Sequence, residues 1–142
     1  GLSPLAWRAL VREYSLTRPG LYPEARALLM GEGARCWIIS ASPRALVRAQ
    51  LHRRLPRLPH RIVGSRMCYR AGGLVPRVYC HGPHKLLPEI RQLDVALALS
   101  DSLHDLPLLA LGREAWLVNP THRRLQQARA RLPHLRVKTW RL

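Results

Sequence analysis

The sequence predicts an α/β fold: a parallel sheet covered on both faces, with one small β-hairpin. Three observations lead there. Short unbroken apolar runs recur at Arg35–Ile39, Val95–Leu99 and Ala115–Val118, and strands buried on both faces read this way. Amphipathic stretches separate these runs, the alternation of a parallel sheet with helical crossovers. Ala71-Gly72-Gly73 lies between two strand-like stretches, as a hairpin turn would. The chain has 142 residues, of which 47% are hydrophobic and none is Phe. That suffices for one compact core packed by Leu, Val, Ala and Trp.

Taken in order, Ser3-Pro4 starts a first helix that runs to about Ser15. Pro19-Gly20 breaks it, and Pro23 opens a second helix to about Met30, closed by Gly31 to Gly33. The first apolar strand follows, then a helix from Pro43 to about Arg54 and a proline-rich loop from Leu55 to His60. Arg61–Val63 reads as a short strand, and Arg66–Arg70 with Leu74–Cys80 as the hairpin. Pro83–Gln92 reads as a helix, Val95–Leu99 as the second buried strand and Leu106–Leu111 as a short helix. Ala115–Val118 is the third buried strand, Thr121 caps a helix to Arg131, and Leu135–Thr139 is the last strand.

The formal charge is +16, from 24 Lys and Arg against 8 Asp and Glu. Such a balance attracts polyanions: nucleic acid, acidic lipid or phosphorylated substrates. The arginines are spread over the whole chain, which equally suits a plain solvated surface. No stretch is long and apolar enough for a membrane helix, and the first ten residues do not have the layout of a signal peptide. Cys36, Cys68 and Cys80 form no CxxC pair, so reduced thiols and a cytoplasmic location are expected, with the inner face of the membrane as a variant.

Ligands of open α/β sheets bind beyond the carboxyl ends of the strands. After the first strand comes Ser40-Ala41-Ser42-Pro43: a hydroxyl, backbone N–H groups and a helix start, which suit phosphate. Ser42 could equally be only a helix cap. After Val95–Leu99 comes Ser100-Asp101-Ser102-Leu103-His104-Asp105. Asp101 and Asp105 are two of only three aspartates in the chain, and a carboxylate pair after a strand suits a hard divalent cation. Asp105 could instead cap the helix at Leu106-Pro107. Lys85, one of two lysines, follows Cys80-His81-Gly82-Pro83-His84 and is a candidate phosphoryl contact or a solvated helix residue.

Together these stretches resemble the haloacid dehalogenase (HAD) superfamily of hydrolases. Ser40 within Ile38-Ile39-Ser40-Ala41-Ser42 looks like the second motif, Lys85 like the basic third, and Ser100 to Leu109 like the long fourth. The end of the chain, Trp116 to Pro120 with Arg124-Leu125 and Ala128, resembles the phosphoserine-phosphatase-like subgroup. The hairpin before Cys80 is most similar to phosphatidylglycerophosphatase relatives. The resemblance covers roughly Leu21 to Trp140, leaving residues 1–20 as a remnant of a helical cap and 21–142 as an α/β core.

The resemblance implies a Rossmann-like sheet and a Mg²⁺-dependent phosphomonoesterase acting through an aspartyl-phosphate, with a phosphorylated small molecule or a lipid phosphate as substrate. Asp101 would be a metal ligand, and Asp105 a second ligand or the group that orients Lys85. Ser40, Ala41, Ser42 and Lys85 would bind phosphate, and all would gather at one end of the sheet. The first motif, Asp-x-Asp-x-Thr with its nucleophile, has no counterpart here, since no Asp precedes Asp94. Its strand, central in the family sheet, and most of the cap have no counterpart either. That strand would come from a preceding segment or from a partner chain, or its two neighbours would close up. The chain alone is expected to be inactive. The alternative function is a non-catalytic, HAD-shaped basic module that binds nucleic acid, acidic lipid or an acidic partner.

Overall fold

The computed structural model describes residues 2–32, 35–57 and 61–142. They form two compact units, Gly1–Cys80 with Leu142, and His81–Arg141. The architecture is α/β, with one mixed and one parallel sheet.

The first unit opens with α1 (Pro4–Thr17), capped by the Ser3 hydroxyl, which accepts from the Ala6 N–H. It packs on α3 (Arg44–His52). Arg54 fixes the end of α1: its guanidinium donates to the carbonyls of Ser15, Arg18 and Pro19. Carbonyls at and beyond the last turn have no helical donor of their own, so a cation is a natural cap. α2 (Pro23–Glu32) precedes β1 (Trp37–Pro43). The closing glycine at 33 and the loop's end at 58–60 lie outside the described residues.

β2 (Arg61–Arg70) runs parallel to β1 and antiparallel to β3 (Gly73–Val78), in the order β1-β2-β3. It is one strand where the sequence reads two. Gly64-Ser65 has no apolar pattern, yet Ser65 pairs with Pro43 and Arg66 with Val78, so the strand changes partner without ending. Gly64 is forced by proximity: a Cβ there would lie 2.8 Å from the Ser42 carbonyl oxygen. The hairpin turns on Ala71-Gly72, with Gly72 at φ +100°, where a side chain is disfavoured. Leu51, Leu55 and Ile62 form this unit's small core, with Leu21, Leu29, Ile38 and Val47 against it.

The second unit is a parallel sheet in the order β4-β5-β6: β4 (Val95–Ser100), β5 (Gly112–Val118) and β6 (Arg136–Lys138). α5 (Leu106–Leu109) and α6 (His122–Arg131) connect them, and the Thr121 hydroxyl caps α6 by accepting the Arg124 N–H. Its core is larger: Ala98, Leu106, Leu109, Ala115, Leu117, Ala128, Leu132 and Leu135. Asn119, just past β5, takes a left-handed φ of +48°. That turn lets its side chain clamp the chain after β6: its amide donates to the Trp140 carbonyl and accepts the Trp140 N–H.

The expected helix over Pro83–Gln92 is instead a 3-10 turn (Gly82–Lys85) and a single helical turn, α4 (Pro88–Arg91). Pro88 is the reason, because it disfavours helical backbone at Leu87, which is extended at ψ 152°. β4 is not fully buried as expected, since Ala96 and Leu99 are exposed. It is an edge strand: among the described residues β4 pairs only with β5, and β1 only with β2.

Candidate active site

Beyond β4 the chain turns on Ser100. Its hydroxyl accepts the Ser102 N–H at 3.1 Å and donates to Asp105 Oδ2 at 2.7 Å. A 3-10 turn (Leu103–Asp105) then carries Asp105 inward, where only 7% of the residue is exposed. Lys85, also 7% exposed, comes from the turn Gly82–Lys85 and meets it. Its Nζ lies 2.7 Å from Oδ1 and 2.8 Å from Oδ2. The carboxylate therefore accepts from the ammonium on both oxygens and from a hydroxyl on one, so the buried charges are paired and hydrogen-bonded, as burial requires.

The sequence leaves alternatives open at each of these residues, and the geometry bears on them. Asp105 stands at the cap of α5 but makes no side-chain cap hydrogen bond. Its oxygens are engaged by Lys85 and Ser100 instead. Lys85 is not a solvated helix residue. Asp101 is exposed and enters no ion pair or side-chain hydrogen bond among the described residues.

The Ser40-Ala41-Ser42 stretch belongs to the first unit. Here β1 slips out of register with β2: Ile39 pairs with Val63, and the next pair is Pro43 with Ser65. The displaced residues form an irregularity within the strand in which Ser40 Oγ accepts the Ser42 N–H at 3.1 Å. One N–H assigned to phosphate is thus used internally, while the Ser40 hydroxyl keeps its own proton to donate. The cap of α3 is Pro43, so Ser42 is not its cap. Ser65, which the sequence does not single out, holds this part of β1. It is 4% exposed, donates to the Ala41 carbonyl at 2.7 Å and accepts the Cys80 N–H at 3.0 Å. No local pattern marks it, since its partners are 24 and 15 residues away.

Among the described residues no three His, Cys, Asp or Glu side chains converge on a metal position. Asp101 could give a hard cation one oxygen ligand, while the Asp105 oxygens accept from Lys85 and Ser100. No described helix is long and apolar enough to cross a membrane.

These features define an α/β protein with a charged cluster beyond the carboxyl end of a parallel strand. A family model of haloacid dehalogenase-like hydrolases matches residues 1–110. The chain belongs to that family. No curated protein and no solved structure matches it.

Proposed function

We propose that this chain carries the lysine–aspartate part of a Mg²⁺-dependent phosphomonoesterase site and is inactive until a nucleophile-bearing strand joins it. The observation that carries this reading is the buried Lys85–Asp105–Ser100 cluster, which unites two separate motif stretches. An ammonium has three donors. With two directed at Asp105, the third is left for a phosphoryl oxygen, whose charge the lysine would stabilise. Asp101 would serve the cation together with carboxylates that these residues do not supply. Among the described residues β1 and β4 each have one edge without a strand partner, which supports a need for a further strand, from another segment or a partner chain.

The substrate class is a phosphorylated small molecule or a lipid phosphate. The test is turnover of an aryl phosphate with Mg²⁺, by the chain alone and by the chain fused to a strand bearing Asp-x-Asp-x-Thr. We expect no turnover alone, and turnover in the fusion that Asp101→Asn abolishes. Activity of the unfused chain would place the nucleophile elsewhere. A folded fusion without activity would overturn the phosphatase reading.

A further inference from the structure

The positive charge is unevenly shared. Residues Gly1–Cys80 hold fourteen arginines, no lysine and three glutamates, a net +11 of the total +16. No Asp or Glu lies between Glu32 and Glu89, so α3, β2 and β3 carry arginines with no carboxylate among them.

Within this unit Trp7 of α1, Arg44 at the start of α3, and Arg66 and Met67 of β2 line one cleft of about 270 Å³. That is less than the roughly 300–1,000 Å³ of small-molecule pockets, so the cleft suits one part of an extended ligand. Trp7 is half-buried and both arginines are exposed. Neither guanidinium enters an ion pair or hydrogen bond among the described residues. The lining continues onto the hairpin. Successive strand residues alternate between faces, so Tyr69 shares the face of Met67. Tyr69 is 44% exposed, and Arg70 follows it at the turn.

We propose that this cleft and hairpin bind single-stranded nucleic acid, with Trp7 and Tyr69 as stacking surfaces for bases and Arg44, Arg66 and Arg70 as phosphate contacts. Unpaired bases stack on aromatic rings whatever their sequence, while a basic groove follows the backbone. A duplex keeps its bases stacked on one another, and the broad surface of a bilayer does not enter a cleft to reach Trp7.

Fluorescence anisotropy of the full chain with a labelled oligothymidylate of about 12 residues tests this. Arg44→Gln with Arg66→Gln should weaken binding at least about tenfold and lower the slope of log K against log salt by about 1.4, as the loss of two phosphate contacts would. Tyr69→Ala, at an exposed position, should weaken it at least about fivefold and serves if the arginine variant fails to fold by circular dichroism. Arg129→Gln with Arg131→Gln, on α6, removes the same charge and should leave affinity and slope nearly unchanged. An equal loss in the α6 variant, or unchanged affinity in folded Tyr69→Ala, would overturn the proposal. So would a duplex of the same length, or vesicles of anionic phosphatidylglycerol, bound as tightly as the single strand.

Discussion

A buried ion pair adds little to stability while intact, but removing one member strands the other charge, at about 3–5 kcal/mol. Lys85→Met should therefore lower the unfolding free energy by about that amount in urea. Lys85→Met with Asp105→Leu should recover most of it, because an apolar pair leaves no charge unpaired. The double variant then tests binding without the stability loss. Phosphate should raise the melting temperature of the wild type more than Mg²⁺ does at matched ionic strength, and the double variant should lose that shift. An equal shift in both would place the anion on the arginine-rich surface. Ser65→Ala removes the hydrogen bonds to the Ala41 carbonyl and from the Cys80 N–H and should cost about 1–3 kcal/mol by the same measurement.

At the level of elements, Arg54 and Gly64 are the joints. Arg54→Ala should free the end of α1 and cost about 1–2 kcal/mol, with faster proteolysis near Arg18 as the local sign. Gly64→Ala would press on the Ser42 carbonyl and should cost about 1–3 kcal/mol. Neither joint is legible in the sequence, where Gly64-Ser65 has the look of a gap between strands. The strands themselves are legible, since Trp37–Ile39, Val95–Leu99 and Ala115–Val118 are unbroken apolar runs. The Lys85, Asp101 and Asp105 stretches are legible as motifs. The Lys85–Asp105 contact is one of two roles that the family resemblance implies for Asp105; the residues by themselves do not show it, because the bond spans 20 residues and Pro88 breaks the helix expected between them.

At the scale of the whole molecule, the +16 charge and the strand edges left without a partner among the described residues act against each other. Copies of the chain repel at low ionic strength, which keeps edge strands apart. At about 0.15 M salt the Debye length falls to about 8 Å, and that repulsion is largely screened. The unpaired backbone of β1 and β4 can then template pairing between copies. The chain should thus be colloidally stable in dilute buffer and form larger particles as neutral salt is added, a trend that light scattering would read directly.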